Sequence, residues 1–371
     1  MKIIIVHASA GAGHFKAAQA IYNYFKEHCP QSDIQLIDIL EKCAYFFRIS
    51  YSWGYSILIR HASILWKLSF WVTKVRPLRR LTRPLARILN QLNTKEFSEY
   101  LISEQPDYII STHFLPPEIA ASLKNKQKIN SKLITVITDF GVHPYWLSSP
   151  IDTYVVASDY TKQQLISEGV RDDKIKVLGI PVDAKFLKAE DKNTLCAKFN
   201  IIADKFTVLI STGSFGFGPI EEIARIIHND AQVLVVCARN RSLKLRLEQK
   251  AYTNVKVFGF IENMSELMAA ADLMISKPGG LTIAEILIRE LVPVFVCPIP
   301  GQEMENAKAL EYFGAGLSLN SLHDIRSMIL DFKEHPRKLE EIKSRIRLIR
   351  KPRALEDLYD VVCKNSSGPC C

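Results

Sequence analysis

Apolar residues in this chain gather in short continuous runs, and between the runs they recur with helical spacing. The runs Ile3–Val6, Ile34–Ile39, Tyr108–Ser111, Leu133–Thr138 and Thr153–Ala157 predict buried strands, being too short for helices. The stretches His14–Glu27, Pro116–Lys124 and Tyr160–Glu168 predict helices between them. Such alternation builds a parallel sheet covered by helices. Gly179-Ile180-Pro181-Val182-Asp183 interrupts the pattern, and a second alternation follows through Thr207–Ser211, Val233–Cys237, Val255–Phe258, Leu273–Ser276 and Val294–Val296. The chain therefore reads as α/β, with two Rossmann-like halves: 1–180 and 181–350, then a C-terminal helix and tail over 351–371. Ligands of such sheets sit outside the C-terminal ends of the strands, which puts the expected active site in a cleft between the halves.

Two turns carry candidate chemistry. The first strand leads into Ser9-Ala10-Gly11-Ala12-Gly13-His14 at the start of a helix. Gly11 and Gly13 let backbone N–H groups approach a ligand at a helix N-terminus, where negative charge is favoured. The loop has neither the Lys-Ser/Thr of a P-loop nor a full three-glycine dinucleotide fingerprint, so neither nucleotide motif is met. A plain strand-to-helix turn with a solvated histidine is the competing reading.

In the second half, Thr212-Gly213-Ser214-Phe215-Gly216-Phe217-Gly218-Pro219 again joins a strand to a helix, with Pro219 suited to the first helical position. Ser276-Lys277-Pro278-Gly279-Gly280-Leu281-Thr282-Ile283-Ala284-Glu285 repeats the arrangement and sets Glu285 a turn into its helix, where a carboxylate can accept from both hydroxyls of a ribose. Pro300-Gly301-Gln302-Glu303-Met304-Glu305-Asn306 places an amide and a carboxylate at the mouth of a further helix, a mixed donor and acceptor set suited to sugar hydroxyls.

Composition changes the picture at one place. The chain has 371 residues, 48% of them apolar, enough for two packed cores, and a formal charge of +9. From Lys42 to Lys95 there is no Asp or Glu, while Lys and Arg number 11, so the rest of the chain is left at −2. The same 42–95 segment holds Trp53, Trp66 and Trp71, three of the four tryptophans. Arg76, Arg79, Arg80, Arg83 and Arg87 fall on one side of a helical projection and Leu78, Leu81, Leu85, Leu89 and Leu92 on the other. A membrane span is excluded there by Arg60, Lys67 and Lys74. An anionic membrane surface fits this segment better than nucleic acid, which has no use for a leucine stripe, or than a domain helix whose arginines face water. Pro77 suits the first turn, and Pro84 predicts a kink or two shorter helices.

The eight cysteines are scattered without metal or disulfide spacing, and no signal peptide precedes the first loop, so a cytosolic protein peripherally bound to the inner face of the cell membrane is expected.

Taken together, Lys277-Pro-Gly-Gly-Leu-Thr-Ile-Ala-Glu285, Gly301-Gln-Glu-Met-Glu-Asn306 and Phe258-Gly-Phe-Ile-Glu-Asn-Met264 resemble the donor half of the GT-B glycosyltransferases of family 28. Ser9-Ala-Gly-Ala-Gly-His14-Phe-Lys-Ala-Ala18 and Thr138-Asp139-Phe140-Gly141-Val142-His143-Pro144-Tyr145-Trp146 resemble its monogalactosyldiacylglycerol synthase and processive diacylglycerol glucosyltransferase branch. The resemblance implies two domains facing across a cleft, with C-terminal helices crossing back to the first. It implies that Gly213, Ser214 and Gly216 face the donor diphosphate, with Gly279, Gly280, Leu281 and Thr282 beneath it. Phe260, Ile261 and Met264 would border uracil, Glu285 would hold the ribose, Gln302 and Glu303 would read the hexose, and Asn306 would support them.

His14 is then the base, with Asp139 to orient or assist it, and His143 and Trp146 line the acceptor site with Gly11 and Gly13. A neutral imidazole suits a single inverting displacement, and two helix N-termini plus Lys277 could meet the charge of departing UDP without a metal or any cofactor. The expected function is inverting transfer of a hexose from a UDP-sugar to a membrane glycerolipid, chiefly 1,2-diacylglycerol. Glucose, galactose and N-acetylglucosamine stay open as the sugar. A transferase acting on a polyprenyl-diphosphate-linked sugar, a UDP-sugar 2-epimerase and a silent nucleotide-sugar sensor are the alternatives.

Overall fold

A computed structural model of the chain describes residues 1–9, 11–50, 73 and 75–364. These residues form two compact units. Met1–Asp183, Ile299–Glu305 and Lys351–Cys371 make the first, and Ala184–Pro298 with Asn306–Arg350 make the second. Each contains a six-stranded parallel sheet.

The first sheet consists of β1 (Lys2–His7), β2 (Asp33–Asp38), β3 (Tyr108–Ser111), β4 (Lys132–Val136), β5 (Thr153–Val156) and β6 (Ile175–Val177), in the order β2-β1-β3-β4-β5-β6. Successive side chains leave a strand on opposite faces. Ile4, Val6, Ile109 and Leu133 therefore enter one core with Phe97, Leu101, Ile119 and Trp146, while Ile3, Ile5, Ile110 and Ile134 enter another with Ala18, Ile21 and Phe25. The second core is completed by Leu355, Leu358 and Val362 of the helix Ala354–Cys363, so the chain's last helix returns to its first sheet. Tyr359 of that helix donates to the His28 carbonyl at 3.2 Å.

The second sheet has β7 (Thr207–Ser211), β8 (Gln232–Val236), β9 (Val255–Phe258), β10 (Leu273–Ser276), β11 (Val292–Phe295) and β12 (Leu317–Ser318), ordered β12-β11-β10-β7-β8-β9. In each sheet the direction of strand addition reverses once, between β1 and β3 and between β7 and β10, and loops leaving a parallel sheet at such a point frame a crevice. Among the described residues, the short edge strands β6 and β12 are the ones the apolar pattern does not predict.

The helix Arg76–Asn93 departs from expectation in two ways. It is one helix through Pro84, which is exposed, rather than two shorter ones. In its C-terminal half the apolar side is open to solvent, with Leu85 62%, Leu89 49% and Leu92 71% exposed, while Leu78 is half-buried and the side chain of Leu81 lies outside the described residues. The opposite side is held by Asn90 donating to Glu118 at 2.9 Å and Gln91 to Ser122 at 3.2 Å, both on the helix Leu115–Asn125. Arg83 lies on this inner side near Tyr145 and Tyr154, whose pKa values are raised by burial with Arg83 opposing, and Arg87 is exposed. Trp53, Trp66 and Trp71, and the side chains of Arg76, Arg79 and Arg80, lie outside the described residues. No helix among the described residues is long and apolar enough to cross a membrane.

Candidate active site

In the first unit, the residues at the switch point converge on His14. Val6 of β1 is paired with Ser111 of β3, so the loops that follow these strands lie side by side, with the loop after β4 next in line. His14 occupies the first turn of the helix Ala12–His28, which begins with no side-chain cap and no acidic residue. Its Nδ1 lies 2.7 Å from the Thr112 carbonyl and 2.9 Å from Thr138 Oγ1. A carbonyl can only accept, so Nδ1 carries the proton and Nε2 keeps its lone pair. Thr112 Oγ1 donates back to the His14 carbonyl at 2.9 Å and closes the clamp. Burial is the main cause that draws the His14 pKa down to about 4, with His7 lowering it further and the Thr112 bond opposing.

His113 packs edge-on against His14 with ring centroids 4.8 Å apart, and its burial holds it neutral as well. Trp146 is buried, with its ring 6.2 Å from that of His14, and forms a wall of the site. His143 faces Thr73, with Nε2 at 3.1 Å from Thr73 Oγ1 while its Nδ1 accepts from the Tyr145 N–H. Asp38, at the end of β2, anchors the glycine turn by accepting from Ser9 N at 3.2 Å and from the Ser9 hydroxyl.

Asp139, expected to orient or assist His14, lies in the loop after β4. The contacts on His14 Nδ1 come from Thr112 and Thr138, whereas the Asp139 carboxylate takes the side-chain amide of Gln302. The apolar run Leu133–Thr138 predicts strand throughout, but β4 ends at Val136, which releases Thr138 and Asp139 into the loop. Gln302 and Glu303 lie in Ile299–Glu305, which belongs to the first unit rather than to the donor half. Glu303 accepts from the Ile299 N–H at 2.7 Å and closes that short segment on itself.

In the second unit, Ser211 of β7 pairs with Ser276 of β10, so the turns 212–219 and 277–280 emerge together. Gly213 and Gly216 have φ of +91° and +60°, left-handed values that suit glycine. Gly216 also leaves no room for a side chain, since a Cβ would stand 2.2 Å from the Cys237 carbonyl oxygen. The turn is fixed from the far side by Asn240, which donates to the Gly216 carbonyl at 3.0 Å, and by Arg239 N reaching Ser214 O at 3.4 Å. Lys277 crosses to this loop, its Cε 3.8 Å from the place a Cβ on Gly218 would occupy.

Two helices start at these turns and they differ electrostatically. Gly280–Ile288 has no side-chain cap and no acid in its first turn, leaving the N–H groups of Gly280, Leu281 and Thr282 for an anion. Ile220–Ile227 instead carries Glu221 and Glu222 there, and its N-cap is Pro219, one position earlier than expected. Two carboxylates therefore stand at the positive end of the second helix and none at that of the first. Asn306 is fully buried and donates to the Pro278 carbonyl at 3.0 Å, so it holds the 277–280 turn in shape. Glu285 is buried on its helix. Phe260 is largely exposed beside Arg239, whose guanidinium stands 5.8 Å from the ring centre, and Ile261 and Met264 follow it half-buried.

Thr112, His113, Asp38 and Arg239 carry no role in the sequence reading, and Thr138 enters it only as the end of the Leu133–Thr138 run and the first residue of the Thr138–Trp146 motif. Polar groups directly after an apolar strand, as in Ser111-Thr112-His113, were the available signal.

Residues 14–182 match the monogalactosyldiacylglycerol (MGDG) synthase family, and residues 207–356 match the glycosyltransferase family 28 C-terminal domain. A processive diacylglycerol beta-glucosyltransferase of Staphylococcus haemolyticus is 31% identical over 93% of this chain and 88% of its own length. One of Bacillus pumilus is 28% identical over 98% and 95%. Among solved structures, MurG of Acinetobacter baumannii superposes with a TM-score of 0.65 at 15% identity, covering 98% of this chain and 99% of its own. HepE of Anabaena in complex with UDP-glucose gives 0.55 at 15% identity, covering 98% and 100%. These two likenesses concern the GT-B fold alone. The relatives that span most of both lengths, with the two domain matches, establish that the chain belongs to the family 28 glycosyltransferases, in the branch of the diacylglycerol glycosyltransferases.

Proposed function

We propose that this protein transfers glucose from UDP-glucose, with inversion, to the free hydroxyl of 1,2-diacylglycerol at an anionic membrane surface on the cytoplasmic side. The observation that carries the chemistry is the state of His14: neutral, with Nδ1–H given to the Thr112 carbonyl and Nε2 left as an acceptor. The names of the relatives supply the sugar and the lipid.

In the proposed step the acceptor oxygen attacks the anomeric carbon, the bond from that carbon to the diphosphate oxygen breaks, and the hydroxyl proton passes to His14 Nε2. A base with a pKa of about 4 is unprotonated throughout the physiological range, and an anionic substrate brought near it favours the imidazolium that forms. Negative charge on the departing UDP is met by the uncapped helix start at Gly280 and by Lys277, fixed donors that need no metal. Gly213, Ser214 and Gly216 take the diphosphate, Phe260, Ile261 and Met264 border the base, Glu285 holds the ribose and Gln302 reads the hexose. His143 and Trp146 line the acceptor path.

Membrane docking is supported by the outward leucine side of Arg76–Asn93 and by Tyr45 and Phe46, which are 70% and 82% exposed next to the end of that helix. Apolar side chains in the interface with cations beside them are the arrangement an anionic bilayer attracts. The test is incubation with anionic vesicles containing diacylglycerol and, in turn, UDP-glucose and UDP-galactose. A β-linked glucosyl lipid is the expected product. Tight UDP binding with no glycolipid from either donor would overturn the proposal.

A further inference from the structure

We propose that Asp139 is a positioning residue for the donor sugar, holding the Gln302 amide in one orientation, and that it takes no part in proton transfer at His14. This rests on the reading of Gln302 as the hexose contact. Asp139 is 3% exposed and lies one residue past Thr138 in the loop after β4. Its carboxylate accepts the Gln302 side-chain N–H. The segment Ile299–Glu305 is seated on the same loop, since a Cβ on Gly141 would stand 2.4 Å from Glu305 Cβ.

The consequence follows from donor and acceptor chemistry. The Gln302 side-chain nitrogen is the atom that faces the carboxylate, which accepts from it. Oε1 and the second N–H are then left in fixed places, one able to receive a sugar hydroxyl proton and the other able to give one. An amide free to turn over would offer either pattern at either place, and would read two hexoses that differ in one hydroxyl almost equally. With Asp139 in place only one pattern is offered. The ring nitrogen that Asp139 would have to reach to serve His14 already has Thr112 and Thr138 upon it.

The experiment is steady-state kinetics with UDP-glucose and UDP-galactose, with UDP affinity by calorimetry, on Asp139→Asn, Gln302→Ala and the double variant. Asp139→Asn is expected to raise KM for UDP-glucose about tenfold, the scale of one lost charge-assisted hydrogen bond, and to narrow the preference between the two donors. UDP affinity and the acid limb of the pH profile stay where they were. The double variant loses no more than Gln302→Ala alone, because both changes break one contact. Gly141→Ala, which displaces the segment while leaving the carboxylate, raises the same KM. If Asp139→Asn lowers kcat and moves the acid limb with KM unchanged, Asp139 acts through His14 and the proposal is wrong. If Gln302→Ala raises KM and Asp139→Asn does not, the positioning role alone falls. If Gln302→Ala leaves KM untouched, the hexose reading falls and takes this proposal with it.

Discussion

At the scale of single residues, the protein keeps a half-buried histidine neutral by desolvation and then uses one backbone carbonyl to decide which nitrogen is basic. His14→Ala should therefore leave UDP binding intact and cut kcat by roughly two to four orders of magnitude, the usual worth of a positioned base. Calorimetry with UDP and a glycolipid assay separate the two effects, and an unchanged kcat would end the assignment. The depressed pKa also sets a pH dependence. With the folded value near 4 and an unfolded value near 6.5, the unfolded chain binds more protons between those limits, so stability rises with pH through that window and is lost as pH falls. His113, also pushed down by burial, adds in the same direction. The acid limb of kcat/KM should accordingly lie well below pH 6.5 in the free enzyme, and a limb at 6.5 would show that His14 is solvated in solution.

At the scale of elements, strands and glycine turns were legible because each has a local cause: an apolar run too short for a helix, or a glycine where the backbone turns left-handed. Gly216 is the sharpest instance, and Gly216→Ala is expected to abolish measurable UDP binding, since φ of +60° and a carbonyl 2.2 Å from the new Cβ both oppose it. Retained affinity, read by calorimetry, would place the diphosphate elsewhere. The partners of His14 were not legible for a different reason. Thr112 is 98 residues away, and only the register of β1 against β3 brings it into contact. Hydrophobic pattern fixes which face of a strand is buried, but not which strand lies beside it. Asp139 and Thr138 are neighbours in sequence, so choosing between them as the group on His14 required knowing that β4 stops at Val136.

At the scale of the whole molecule, the same limit governs the basic segment: amphipathy separates the leucine and arginine sides of Arg76–Asn93 without saying which side the body takes. The first unit takes the polar side, through Asn90 and Gln91, and leaves Leu85, Ile88, Leu89 and Leu92 in the open. Outside residues 42–95 the charge is slightly negative, so attraction to an anionic surface must come through this region. Each basic residue near such a surface contributes about 1 kcal/mol, a term that salt screens, while the leucines contribute a term that salt does not. Sedimentation with anionic vesicles should show binding that weakens with added salt without vanishing. Leu89→Asp with Leu92→Asp should remove the salt-resistant part and most glycolipid synthesis on vesicles while leaving UDP affinity unchanged. Both substitutions are on exposed positions, so folding is not the cause of any loss. If the double variant sediments with vesicles as the unaltered protein does, the outward leucine side is not the membrane contact.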